Sequence, residues 1–123
     1  MARQRPPHRL LEPLSWNLPV RAFAINKHGD NAYALEGDLT FATVPEALKA
    51  TARLFRPGAA LRFDLVGIER VDSAGVALLI EWLRRAEQSG CALRLVRVPD
   101  RLRAMARVSG VEELLPMAVE PTS

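Results

Sequence analysis

Apolar and polar positions alternate in two short stretches near the start of the chain and then switch to helical spacing. Residues 20–26 and 32–36 read as strands, and His28-Gly29-Asp30-Asn31 between them has the residue types of a tight turn. Gly37-Asp38 closes the second strand. Thr43-Val44-Pro45-Glu46 has the form of a capping box, in which the threonine hydroxyl accepts a free helix amide and the glutamate reaches back. Proline suits that first turn, where its missing amide would have no partner anyway. Leu48, Thr51, Ala52 and Phe55 continue at helical spacing until Pro57-Gly58 stops the helix.

Residues 60–68 are a short apolar run bounded by turn residues, as in a buried strand. Asp72 or Ser73 starts a second helix that runs through Ser89, with Gly90 as its stop. Residues 91–98 form another strand, in which Arg94 and Arg97 fall on opposite faces, so at least one lies near its exposed end. Pro99-Asp100 opens a third helix through Ser109, and residues 111–115 form a short element of open type. The order strand, strand, helix, strand, helix, strand, helix predicts an α/β fold. Its small, mainly parallel sheet is begun by a hairpin and carries three or four helices.

On the second helix, Val76, Leu79, Ile80, Leu83 and Ala86 make the most aliphatic stripe and are the expected core face. Leu78 then points away from that stripe and Trp82 lies on its flank. With Ala74 before them and Arg85 after them they form an outward ridge of small, apolar and cationic side chains. Tryptophan and arginine are enriched at interface hot spots, but a tryptophan also folds readily over the rim of a core. The pattern leaves both roles open.

Composition narrows the class. The 123 residues suit one domain, with 49% apolar and 25% charged residues and a mean hydropathy of +0.00. No apolar run approaches the roughly 20 residues that span a bilayer. Residues 1–19 hold four prolines and an excess of arginine without a continuous apolar stretch; they are expected to be a mobile arm, not a signal peptide. Residues 20–118 form the expected domain and 119–123 a tail. The net charge of +3 and pI near 9.7 come from 15 arginines and only two lysines, a bias that genomic base composition explains. Arg101, Arg103 and Arg107 share a helix, but no aromatic residues interleave with them as a nucleic-acid surface would require. A solvated face is expected, and no nucleic acid.

Candidate chemistry is sparse. The lone Cys91 reads as a small buried side chain, and two distant histidines with one cysteine are a poor basis for a metal site. There is no phosphate-binding Gly-x-x-x-x-Gly-Lys loop and no GxSxG elbow, and Ser73 has no base identifiable from the sequence. Asp64, on the buried strand, is assigned no chemistry. No catalysis and no cofactor are expected.

The distinctive segment is residues 67–79, where a buried strand turns on polar residues into a helix beginning Asp72-Ser73-Ala74-Gly75. A helix N-terminus presents unpaired amides and partial positive charge, so Asp72 and Ser73 serve as caps. The near absence of side chain at Ala74 and Gly75 also lets another backbone approach closely. Both roles fit the residues.

Val71-Asp72-Ser73-Ala74-Gly75-Val76-Ala77-Leu78-Leu79 resembles the signature loop and helix of STAS domains, and Glu36-Gly37-Asp38-Leu39-Thr40 fits the same family. The likeness runs from about Val20 to Pro116. Leu93-Arg94-Leu95-Val96 and the stretch from Leu102 to Val111 look most like the small STAS subunit of the bacterial Mla phospholipid transporter. That resemblance implies a non-catalytic subunit in the cytoplasm, at the inner face of the inner membrane. Its partner would be the ATPase of an ABC-type complex that moves phospholipid and maintains outer-membrane asymmetry. It implies a partner surface drawn from Asp72, Ser73, Ala74, Gly75, Leu78, Trp82 and Arg85. The alternative within the family is an anti-sigma-factor antagonist switched by phosphorylation of Ser73. Such regulators usually carry a second hydroxyl residue next, where this chain has Ala74, and that departure favours the transporter subunit.

Overall fold

Alternation of core and open-face residues, punctuated by glycine and proline, produces five strands and three helices in the computed structural model, which describes residues 19–118. The expected arm and tail lie almost wholly outside the described residues. Strand β1 (Ala24–Gly29) and strand β2 (Ala32–Leu39) form an antiparallel hairpin. Helix α1 (Val44–Thr51), strand β3 (Ala60–Val71), helix α2 (Ser73–Ser89), strand β4 (Ala92–Val96), helix α3 (Asp100–Val108) and strand β5 (Met117–Ala118) follow. Short 3-10 turns occupy residues 52–54 and 112–114. The sheet order is β1-β2-β3-β4-β5, and every pair after the hairpin is parallel. Parallel neighbours joined by same-handed crossovers bring all three helices to one face, and α2 packs against both α1 and α3.

The expected fold class therefore holds, with corrections at several boundaries. The hairpin strand continues through His28 and Gly29, so Asp30 and Asn31 alone make the turn, Asn31 at φ 60°. Gly37-Asp38 lies inside β2, and β3 runs on through Glu69, Arg70 and Val71. The capping box does not form. Thr43 precedes α1, but its hydroxyl donates to the Asp38 carbonyl at 2.6 Å and accepts from the Thr40 amide at 3.0 Å. That hydroxyl closes the loop between β2 and α1 instead of capping the helix.

The core lies between the helices and one sheet face. Leu35 and Leu39 of β2, Leu61, Phe63, Leu65, Ile68 and Val71 of β3, and Leu95 of β4 point into it. The spacing along β3 changes from two to three after Leu65 because the ladder with β2 slips by one residue in two places. The opposite face carries Ala32, Ala34 and Glu36 of β2, Arg62 and Asp64 of β3, and Ala92 and Arg94 of β4. There Arg97, just past β4 at φ 52°, grips Asp64 through both carboxylate oxygens.

Burial works to raise the Asp64 pKa, but Arg97 and the Val66 amide more than offset it and hold the carboxyl below its ordinary value. A carboxylate with a depressed folded-state pKa contributes stability above its unfolded value, near 3.8, and loses it as pH falls further. Thermal midpoints of wild type and Asp64→Asn are expected to differ at pH 7 and to converge in acid, as the pH falls through the lowered folded-state pKa. A gap that persists unchanged into acid would show that ionisation of Asp64 contributes nothing.

Candidate functional site

Helix α2 buries a wider arc than its aliphatic stripe suggests. Gly75, Val76, Leu78, Leu79, Trp82 and Ala86 are all buried, covering about 160° of the circumference where a helix on a surface usually buries about 100°. The reason is its central place: the sheet lies beneath it and a helix lies on each side. Leu78 and Trp82 are therefore core residues, 1% and 0% exposed, and not an outward ridge. The Trp82 indole donates to the Thr51 hydroxyl at the end of α1, at 2.9 Å, and its ring meets Phe63 edge-on at 5.0 Å between centroids. Ile80 and Leu83, expected in the core, are only half-buried.

The expected partner residues thus divide. Gly75 is buried, and a Cβ there would lie 2.7 Å from the Leu39 carbonyl oxygen and 3.6 Å from Leu102. Its small size lets α2 approach β2 and α3 within the chain, not a foreign backbone. Gly75→Ala is expected to lower stability by about 1–3 kcal/mol in denaturant titration, because the obstacle is backbone and cannot rotate away. A neutral substitution would show that the helix shifts without strain. Arg85 spends its guanidinium on Glu81 at 2.9 Å, and Arg84 grips the same carboxylate. Those two arginines hold the Glu81 pKa down at about 2.

What stays outside is the start of α2 and the loop beside it. Asp72 caps the helix, its Oδ1 accepting from the Ala74 amide at 2.8 Å. Its Oδ2 accepts from the Phe41 amide at 3.2 Å, and its own amide donates to the Leu39 carbonyl at 3.2 Å. One aspartate therefore fastens the β2–α1 loop to the start of α2. Ser73 follows as the first residue of the helix, exposed, its hydroxyl without a hydrogen-bond partner among the described residues. Ala77, one turn on, is also exposed, and Ala74 is half-buried.

Phe41 completes this surface and is the residue that sequence reasoning missed. Its ring is 78% exposed although its backbone is held to the Asp72 carboxylate. The signal was an aromatic residue inside the otherwise small and polar Thr40-Phe41-Ala42-Thr43 connection, where a buried strand had already ended. Nearby loops thus present an unpaired hydroxyl, small side chains and one large apolar group on a fixed backbone.

On α3, Arg101 and Arg107 are exposed and Arg103 is half-buried, with Arg107 paired to Glu112 at 3.3 Å. Among the described residues, no three His, Cys, Asp or Glu side chains gather as a metal site would need. No described helix is long and apolar enough to cross a membrane.

A family model described as "Mlab, STAS domain" matches residues 25–116. The chain belongs to the STAS-domain family. Among solved structures, this STAS domain is similar to the unphosphorylated form of the anti-sigma factor antagonist SpoIIAA, at 15% identity and a TM-score of 0.63. That match covers 81% of this chain and 89% of the other. An anti-sigma factor antagonist from Mycobacterium paratuberculosis matches at 19% identity and TM-score 0.61 over 77% and 82% of the two chains. A putative one from Thermotoga maritima matches at 15% and 0.63 over 81% and 87%. At these identities the likeness establishes the STAS fold. No curated protein sequence matches the chain significantly.

Proposed function

We propose that this STAS domain is a non-catalytic docking subunit, and that the start of α2 with the adjoining loop is the surface it offers. The observation that carries the reading is an exposed Ser73 and a solvent-facing Phe41 at one end of the domain, where the Asp72 carboxylate takes the amides of both Phe41 and Ala74. A large apolar ring left in water on an anchored backbone forfeits burial energy that a partner would recover. Small residues at Ala74 and Ala77 let that partner approach the helix. The MlaB-type family model favours as partner the ATPase subunit of an ABC-type phospholipid transporter. The subunit then works in the cytoplasm, at the inner face of the inner membrane, supporting the complex and outer-membrane lipid asymmetry.

Affinity purification of the tagged full chain from its own cells, with the retained proteins identified by mass spectrometry, tests this. Recovery of an ABC ATPase, lost with Ser73→Glu while the circular dichroism spectrum and thermal midpoint stay put, is the expected result. Equal recovery with wild type and Ser73→Glu would remove this end of the domain from the interface.

A second reading has one observation in its favour: Ser73 is accessible and its hydroxyl has no hydrogen-bond partner among the described residues, as suits a kinase substrate. In that case the domain is an anti-sigma-factor antagonist released or captured by phosphorylation at Ser73. Stoichiometric phosphate on Ser73 in protein from its native host, together with capture of a kinase in place of an ATPase, would establish it.

A further inference from the structure

Strand β3 is longer than the strand it pairs with. From Ala32↔Arg62 to Leu39↔Val71 the ladder sets residues 32–39 against residues 62–71, and the two extra residues enter β3 in separate places, after Asp64 and after Ile68. A bulge leaves an amide without its ladder acceptor, and a buried orphan amide is unfavourable. Each irregular stretch of β3 answers this with a carboxylate. The Val66 amide donates to Asp64 Oδ1 at 3.0 Å, and the Arg70 amide donates to Asp38 Oδ1 at 3.2 Å.

Asp38 does more than satisfy one amide. It is 1% exposed, its Oδ2 lies 3.1 Å from the Arg70 guanidinium, and the same oxygen accepts from the Arg21 amide at 3.0 Å. The Arg70 guanidinium in turn donates to the Pro19 carbonyl. The Asp38 backbone amide donates to the Arg21 carbonyl, and the preceding Gly37, at φ 100°, leaves no room for a Cβ against the Ala22 carbonyl. This buried carboxylate therefore joins three backbone segments. It sits two residues before Thr40-Phe41 along one strand, and its partner Arg70 sits two residues before Asp72 along the other.

We propose that Asp38 is a positioning residue for the docking end: by holding the second bulge of β3 in place it sets where Ser73 emerges relative to Phe41, without touching a partner itself. This rests on the docking reading given above. The bulge determines how many residues of β3 fit beside β2 before α2 begins. If Arg70 slides back into a regular ladder, Val71 moves off the core face and the Asp72 carboxylate parts from the Phe41 amide that donates to it.

The test compares Asp38→Asn with Asp64→Asn in the full chain. Both lose a charge that pins a bulge, but only the first adjoins the docking end. Amide NMR shifts are read well below both thermal midpoints, and binding is measured with the ATPase captured by the wild-type protein. Asp38→Asn is expected to move the Phe41, Ser73 and Ala74 resonances and to weaken binding at least tenfold. Asp64→Asn is expected to lower the thermal midpoint while leaving those resonances and the affinity unchanged. Should Asp38→Asn not fold, Arg70→Ala removes the guanidinium arm alone and is expected to act in the same direction. Folded Asp38→Asn or Arg70→Ala with all three resonances unmoved would overturn the positioning role. Moved resonances with wild-type affinity would leave that geometry intact and overturn the docking reading instead.

Discussion

Trp82→Ala is expected to remove about 3–5 kcal/mol of folding stability, the largest single loss in the domain. The indole is fully buried, stacks edge-on against Phe63 and donates to the Thr51 hydroxyl. Alanine leaves a cavity among three elements that the sheet beneath cannot collapse into, and it strips an interhelical bond as well. For a domain of this size the thermal midpoint should fall by roughly 10–20 °C. Trp82→Phe keeps most of the ring volume and loses only the indole donor, so about 1–2 kcal/mol is expected. Chemical denaturation of the two variants separates the contributions. A loss below about 1 kcal/mol for alanine would mean that the tryptophan closes the rim of the core, not its middle.

Phe41→Ala should do the reverse. An exposed ring contributes little to the folded state, so its removal is expected to change stability by no more than about 0.5 kcal/mol. If the ring is the apolar anchor of the docking surface, binding to the partner ATPase should weaken by about 2 kcal/mol, near thirtyfold, as for an interface hot spot. Calorimetric or surface-based affinity with the captured ATPase measures it. Binding within a factor of two of wild type would show that the ring lies outside the interface.

The burial of Trp82 has its origin in the neighbours of α2. Helical spacing correctly placed α2 between Asp72 and Gly90 and marked its most aliphatic arc. It could not say how many neighbours the helix would have. With α1 and α3 packed against it, α2 buries the arc from Leu78 through Trp82 to Val76, so Leu78 and Trp82 go inward while Ile80, beyond the other edge, is left half-covered. The capping box failed for a related reason. Thr43 has the right residue type and spacing, yet the Asp38 carbonyl and Thr40 amide lie within reach once β2 ends, and they take its hydroxyl.

Local chemistry in the chain was enough for the element order through α3, though not for β5, and for the cap at Asp72 and the stop at Gly90, because each depends on residues close in sequence. Its motif at residues 71–79 was enough for the family. Tertiary structure alone decided which side of α2 faces solvent, that the Phe41 backbone is tied to the start of α2, and that β3 carries two extra residues. Those outcomes depend on groups far apart in the chain. Asp72 reaches back to Phe41 across 31 positions and Asp38 forward to Arg70 across 32, and no local pattern encodes such contacts before the strands have paired.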